Sequence, residues 1–267
     1  MTDPVALIAA ELIELGERPR LLSAFSARYP GLDAAAGYRA AERLHAHRLA
    51  AGWKPVGRKI GFTNRTIWAR YGVYEPIWGY VYDRTIVHAR ARHAEVELAG
   101  LVQPRIEPEV CFGLKTSPRS SDPASLLEAI EWVAHSVEIV HCHHPEWKLQ
   151  IADCTAANGL HGRLVLGAPV ALRELPDLEQ ALPGLEVALM KGGVTIDRGV
   201  GTNVLDSPLL ALGHLVGMLT GHPEHALRAG EIVSTGTLTD AHAVAAGETW
   251  TTAFSGLALP GLSVTFR

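Results

Sequence analysis

The stretch Pro104-Arg-Ile-Glu-Pro-Glu-Val-Cys-Phe-Gly-Leu114 reads as a β-strand that carries two acids, Glu107 and Glu109, with Pro108 between them. Successive strand side chains point to opposite faces, so Arg105, Glu107, Glu109 and Cys111 share one face and Ile106, Pro108, Val110 and Phe112 the other. The acids are then neighbours, about 6 to 7 Å apart along the strand. If their face meets water, they are an ordinary solvated pair. If it is buried, they repel unless a cation or a proton lies between them. Pro108 cannot donate to a β-ladder, which places it at an edge, a bulge or a non-hydrogen-bonded position.

Around this stretch the chain divides near Trp53. Before it, Asp3 to Leu15 and Leu32 to Leu49 show helical spacing of apolar residues, with Asp3-Pro4 and Asp33 as start signals. After it come short β-type runs: Val56 to Phe62, Ile86 to His88, Ile106 to Leu114, Arg163 to Leu166, Glu186 to Met190, Val194 to Ile196, Ile232 to Thr235, Thr249 to Phe254 and Leu262 to Phe266. Helical segments are expected at Pro123 to His135 and Pro208 to Thr220, and Lys191-Gly-Gly193 has the composition of a hairpin turn. Strands and helices do not alternate regularly, so the expected class is α+β around a mixed or antiparallel sheet rather than a doubly wound parallel one. The expected organisation is an N-terminal helical region, 1–52, followed by a β-rich domain, 53–267, the two forming one continuous unit.

The 267 residues suffice for a substantial core. A formal charge of −4 and a pI near 6.3 give no basic footprint for nucleic acid or an anionic membrane. Cys111, Cys142 and Cys154 lack metal or redox spacing, and their odd number argues against a disulfide framework, as a reducing cytoplasm would require. No apolar run reaches the roughly 18 residues of a membrane span, and Met-Thr-Asp-Pro-Val-Ala does not resemble a secretory signal.

Several polar residues stand in unexpected settings. Glu138, flanked by Val137, Ile139 and Val140, either points outward from an alternating strand or supplies a third acid. Three carboxylates with water or substrate oxygens suit Mg²⁺ or Mn²⁺, hard cations that prefer oxygen. The rival metal tract, His141-Cys-His-His144, would suit Zn²⁺ by ligand type but lacks zinc-site spacing. Lys59, inside a β-type run, is either a strand-end charge or a group that holds a carboxylate or moves a proton. Asp83 and Asp153 are each either a turn or helix cap or a participant in chemistry.

Lys59-Ile-Gly61, Ile106-Glu-Pro-Glu109, Val137-Glu-Ile-Val140, Trp147-Lys-Leu-Gln-Ile-Ala-Asp153 with Asn158, and Ala229-Gly-Glu-Ile-Val-Ser-Thr-Gly236 together resemble the 2-keto-4-pentenoate hydratase family. That family includes 4-oxalocrotonate decarboxylase and belongs to the fumarylacetoacetate hydrolase superfamily. The five segments occur in the family's order, from about Tyr38 to Arg267. The resemblance implies a rolled mixed β-sheet with an N-terminal helical region and a divalent metal, Mg²⁺ or Mn²⁺, on Glu107, Glu109 and Glu138. It also implies catalytic roles for Lys59, Asp83 and Asp153, with substrate contacts from Lys59, Thr235 and Gly236. The implied substrate is a 2-hydroxydienoate or its 2-oxo tautomer from aromatic degradation, and homo-oligomers or association with a sister hydratase or decarboxylase are implied as partners.

The chain departs from the family pattern at Phe62-Thr-Asn-Arg-Thr-Ile-Trp-Ala-Arg70. Arg65 and Arg70 there either form a solvated helix face or reach the pocket, where one could pair with a second substrate carboxylate. Three readings follow: a hydratase, with a decarboxylase on the same scaffold; an acylpyruvate-type C–C hydrolase; and a homologue without catalysis that binds another subunit.

Overall fold

The computed structural model describes residues 3–65, 68–71 and 73–267; the side chains of Arg70 and Tyr71 also lie outside the described set, and with them the expectation placed on Arg70. Helices α1 (Pro4–Glu17), α2 (Phe25–Arg28) and α3 (Ala34–Ala50) come first. Strand β1 (Pro55–Gly61), the short α4 (Trp68–Tyr71), and strands β2 (Ile77–Tyr82), β3 (Ile86–His88), β4 (His93–Val96) and β5 (Arg105–Leu114) follow. Helix α5 (Pro123–Ala129) runs into β6 (Ile130–Val140), and α6 (Ile151–Ala156), β7 (His161–Leu166), β8 (Val170–Ala171) and α7 (Leu178–Gly184) succeed it. Last come β9 (Glu186–Lys191), β10 (Val194–Val200), α8 (Pro208–Leu219), β11 (Ile232–Thr237), β12 (His242–Ala243), β13 (Thr249–Ser255) and β14 (Ser263–Phe266).

A curled, mixed nine-stranded sheet runs β2-β1-β11-β5-β6-β7-β3, with β12 on β5 and β8 on β6. The β1–β11 and β3–β7 pairs are parallel, and the other pairs are antiparallel. A second sheet, β10-β9-β13-β14-β4, packs against one end of the first. Alternation sorts the large sheet into two chemically different faces. Ile60, Val110, Phe112, Val133 and Val233 bury against α5, α7 and α8, while Ile106, Val137, Ile139 and Val165 bury against the second sheet. The opposite face carries Lys59, Glu107, Glu109, Ser136, Glu138 and Ser234, continued by apolar Cys111, Ala134 and Leu164.

The helix expected over Pro123 to His135 ends at Ala129, and the chain is extended from Ile130 onward. The residues of β6 are packed on both faces between β5 and β7, so they show the continuous apolar character that periodicity alone does not separate from a buried helix. Lys191-Gly-Gly193 does close a hairpin between β9 and β10, both glycines having positive φ. The cysteines are free and buried. Among the described residues no helix is long and apolar enough to cross a membrane.

The N-terminal helices share a core of Ile8, Leu15, Phe25, Ala40 and Leu44 that includes Ala156 of α6. Helix α3 lies so close to α6 that a Cβ on Gly37 would sit 2.5 Å from the Ala152 carbonyl oxygen and 2.0 Å from Thr155 Oγ1. Gly37→Ala gains about 1 kcal/mol of helix propensity. It loses about 1–3 kcal/mol to overpacking, and a backbone oxygen yields poorly. The variant should be less stable by up to about 2 kcal/mol in urea titration, since the overpacking outweighs the propensity; greater stability would show that the two helices separate freely.

Candidate active site

The face that sequence alternation assigns to both acids of β5 is enclosed. Glu109 and Glu138 are fully buried and Glu107 partly so, and their carboxylate oxygens come within 4.8 Å of one another. Register explains the convergence: Glu107 on β5 stands directly opposite Glu138 on β6, and Glu109 opposite Ser136. On the other flank, β11 breaks register with β5 between Ser234 and Thr237, beside Pro108, whose carbonyl accepts from Leu238 N–H at 2.9 Å. The irregularity expected of Pro108 is therefore this break. It aims Ser234 Oγ and Gly236 N–H at Glu109 Oε2, at 2.5 and 3.1 Å. Gly236 has φ +102°, and a Cβ there would meet Thr63 Oγ1 at 2.0 Å, so only glycine fits.

Lys59 is the one cation buried against these acids among the described residues. Its Nζ lies 3.0 Å from Glu138 Oε2 and donates to Gly159 O at 2.9 Å. Asn158 holds that carbonyl in place: its side chain accepts from Tyr80 N–H and donates to Tyr80 O, at 2.8 and 2.9 Å, which clamps the segment to β2. His161 places Nδ1 2.7 Å from Glu138 Oε1 and Nε2 2.8 Å from Thr85 Oγ1. Burial outweighs the Glu138 charge and holds the His161 pKa below its ordinary value, so the imidazole is neutral and donates through Nδ1. Two carboxylate oxygens, Glu138 Oε2 and Glu109 Oε1, are buried without a hydrogen-bond partner among the described residues; the first has the Lys59 ion pair, and the second has none.

Three carboxylates face one ammonium, and the titration behaviour follows. Burial, with the Glu138 charge adding to it, outweighs Lys59 and pushes Glu107 up to about 7. Burial and the two neighbouring carboxylates raise Glu109 well above the ordinary carboxylate range. Burial also opposes Glu138, but Lys59 and His161 prevail and its pKa is lowered. The donor set is all oxygen and lacks two positive charges, and an orphaned buried oxygen points among the three acids. That arrangement fits a hard divalent cation.

The cluster opens into a pocket enclosing about 90 Å³, walled by Phe62, Ile77, Val140, Leu149 and Leu160, with Thr63 and Arg105 among its few polar groups. Thr63 Oγ1 is buried and has no partner among the described residues. Arg105 lies over the Trp147 ring at 4.2 Å and pairs with no carboxylate among the described residues.

A 2-keto-4-pentenoate hydratase from Dechloromonas aromatica (strain RCB) is 34% identical over 215 residues, covering 78% of this chain and 77% of that one. The chain belongs to the 2-keto-4-pentenoate hydratase family. Among solved structures, a 4-oxalocrotonate decarboxylase from Pseudomonas putida G7, complexed with magnesium and adipate, superposes with a TM-score of 0.89 at 26% identity, covering 98% of this chain and 97% of that one. A fumarylpyruvate hydrolase from Pseudomonas aeruginosa, complexed with Mn²⁺ and pyruvate, superposes with a TM-score of 0.58 at 15% identity over 78% of this chain and 88% of its own, and shares the fold. No family model matches the chain.

Of the residues this hydratase-family sequence nominates, Lys59, Glu107, Glu109, Glu138 and Gly236 come together, and four others do not. Asp83 is exposed in the turn after β2, where it caps Lys54 N–H at 2.9 Å. Asp153 is buried, and its carboxylate accepts from Ser26 N–H, Ser26 Oγ and Gln150 N–H, so it caps α6 and anchors the N-terminal region. The Thr235 hydroxyl is buried and donates to Val110 O at 2.9 Å. Arg65 is largely exposed and paired with Asp206 at 2.5 Å. The zinc alternative finds no geometry either, because His143 Nδ1 and His144 Nδ1 approach the Arg20 and Leu22 carbonyls and hold the N-terminal segment on the sheet. Thr63, Arg105 and His161 went unnominated. Only Arg105 had a signal, since it shares a strand face with Glu107.

Acids whose folded pKa is raised stabilise the fold below their ordinary pKa and lose that contribution as pH rises through the folded value. Glu107 and Glu109 set that window near and above pH 7, whereas histidines held below their ordinary value, such as His135 and His141 at about 4 and about 3, act oppositely and add stability as pH rises toward the ordinary imidazole value. Relative to the Glu107→Gln/Glu109→Gln double variant, which keeps the same histidines, metal-free protein of native sequence should therefore lose several degrees of melting temperature between pH 6 and pH 8. Identical pH dependence in the two proteins would contradict this charge assignment.

Proposed function

We propose that Glu107, Glu109 and Glu138 hold a divalent cation, Mg²⁺ or Mn²⁺, and that the protein is a lyase adding water to a 2-hydroxy-2,4-dienoate to give a 4-hydroxy-2-oxo acid in aromatic-compound degradation. The observation that carries this reading is the orphaned Glu109 Oε1 inside a three-carboxylate cluster of net charge −2 against Lys59. When bound, such a cation supplies Lewis-acid stabilisation of a 2-oxo acid's adjacent carboxylate and carbonyl oxygens. The chain's own groups do the rest. Lys59 Nζ, fixed by Gly159 O and Glu138, is placed to steady negative charge on the substrate's enolate oxygen and to exchange a proton there. Ser234 and Gly236 fix Glu109 from one side, and His161 fixes Glu138 from the other, so the acids need no reorganisation when a ligand arrives. The apolar walls keep water from the diene except where it enters to react.

Arg105 favours a second reading, decarboxylation of a 2-oxo-enedioate. It stands on the acids' own strand face, two residues before Glu107, with its guanidinium steadied by Trp147 and free of carboxylate partners among the described residues, in position to receive a second carboxylate in the pocket.

Purified protein with Mg²⁺ should bleach dienoate ultraviolet absorbance without releasing CO₂; stoichiometric CO₂ would reverse the order of the two readings. Glu109→Gln should lower kcat by about 10²-fold or more, the scale of removing one preorganised electrostatic partner. Turnover indifferent to that substitution and to EDTA would remove the metal from the account. In Arg105→Gln, KM for an enedioate should rise about 10-fold or more, the weight of one charge-assisted contact, while KM for a monocarboxylate dienoate stays unchanged. Equal losses on both substrates would place Arg105 at the shared carboxylate instead.

A further inference from the structure

The histidine run that the acid cluster leaves unused lines another cavity, of about 410 Å³, between the N-terminal helices and the large sheet. Its charged groups are Arg48 from α3, Arg84 from the turn after β2 and Arg163 from β7, joined by His141, His143 and His161. No aspartate or glutamate lines it. Arginine ion pairs elsewhere engage Arg20, Arg28, Arg43, Arg58, Arg65, Arg119, Arg173 and Arg267, and among the described residues none engages these three.

Arg48 is the decisive group. Its guanidinium sits 5.1 Å from the Trp53 ring centroid and 4.9 Å from that of Tyr82, and its Nη1 is buried without a hydrogen-bond partner. A charged donor shielded from water and left without an acceptor is unfavourable unless something else supplies the acceptor. Arg163 gives Nη1 to Gly162 O at 2.9 Å and Nη2 to Ala99 O at 3.5 Å, and Arg84 gives one donor to Ala51 O at 3.2 Å. The remaining donors of each guanidinium fork are left for a ligand. His141 Nδ1 accepts from Val102 N–H at 3.4 Å, which leaves Nε2–H as a donor. Burial, with the neighbouring imidazoles and the Arg163 and Arg48 guanidinium groups adding to it, holds His141 down to about 3, so it joins the wall as a neutral donor and adds no charge of its own.

We propose that this cavity is a second ligand site, distinct from the acid-lined pocket, that takes a small oxyanion: a phosphate or carboxylate group held by the Arg48 and Arg163 guanidinium groups, with Arg84 at its mouth. Guanidinium forks match both groups bidentately, and the cavity has room for a small organic acid or phosphate ester around that anchor.

The test uses the full chain without added metal, titrated with inorganic phosphate and separately with succinate at ionic strength held constant with NaCl. Thermal unfolding and titration calorimetry give the readouts. Saturable stabilisation by one or both anions is expected, weakened about 10-fold or more by Arg48→Met and by Arg163→Met and unchanged by Arg105→Gln in the other pocket. Arg84→Gln, at an exposed side chain, should weaken the same binding and serves if the more enclosed arginine variants fail to fold. A stronger response to phosphate would assign a phosphate-bearing ligand, and a stronger response to succinate a carboxylate. Stabilisation no greater than NaCl gives, or equal in all the arginine variants, would overturn the proposal. So would self-association lost in Arg48→Met without anion binding, which would assign the cavity to a second copy of the chain.

Discussion

Burying three carboxylates against a single ammonium is the constraint around which the large sheet is arranged. Each of Glu107, Glu109 and Glu138 is ordinary on a solvated strand and unfavourable inside a protein, where an uncompensated charge is costly. The fold meets that cost locally. A register break in β11 turns two donors toward Glu109, a neutral imidazole satisfies one oxygen of Glu138, and Lys59 takes the other. Lys59 is itself held by the Gly159 carbonyl, which depends on the clamp of Asn158 on β2. What these contacts leave is a deficit of two positive charges and one unpartnered oxygen, which is the binding property of the site.

The same geometry explains why hydratase and decarboxylase relatives can share a scaffold. Both chemistries begin with a 2-oxo or 2-hydroxy acid whose oxygens lie at the charged end, and Glu107, Glu109, Glu138 and Lys59 do not distinguish them. On the proposed reading the distinction belongs to the rest of the pocket, where Arg105 is the one cation besides Lys59 among the described lining residues. A site built to pair with a charge rejects the analogue lacking it more strongly than an apolar pocket rejects an added group. If Arg105 receives a second carboxylate as proposed, it carries that discrimination.

The sequence made the charged face legible because a strand's two-residue period is strict. Once Ile106 to Leu114 is a strand, Glu107 and Glu109 must share a side, and the apolar partners Ile106, Val110 and Phe112 require the other side to be core. Most strands and both long N-terminal helices were readable for the same reason. The start of β6 was not, because a strand buried on both faces has no period to read. Nor was the division between Asp83, Asp153 and the true cluster. An aspartate that caps a turn and one that moves a proton look alike in sequence, and only the surrounding N–H groups separate them. Arg65 and Arg105 differ similarly: the first meets Asp206, 141 residues away in sequence, and the second meets Trp147.

His161 is where the two charged regions of the molecule meet. One of its nitrogens touches the acid cluster, and its ring also lines the cavity of Arg48 and Arg163. A protonated imidazole would be favoured by Glu138 and disfavoured by burial, Lys59 and Arg48, and the latter prevail. Its neutrality lets a single Nδ1–H fix the orientation of Glu138 without cancelling the negative charge that the cluster needs to attract a cation. Thr85 completes this arrangement at Nε2, and because Thr85 N–H also bonds Tyr82 O, the imidazole is tied to the end of β2. The orientation of the Glu138 carboxylate is thereby set by backbone on the opposite side of the ring, and the N-terminal helices contribute to the site by enclosing that ring.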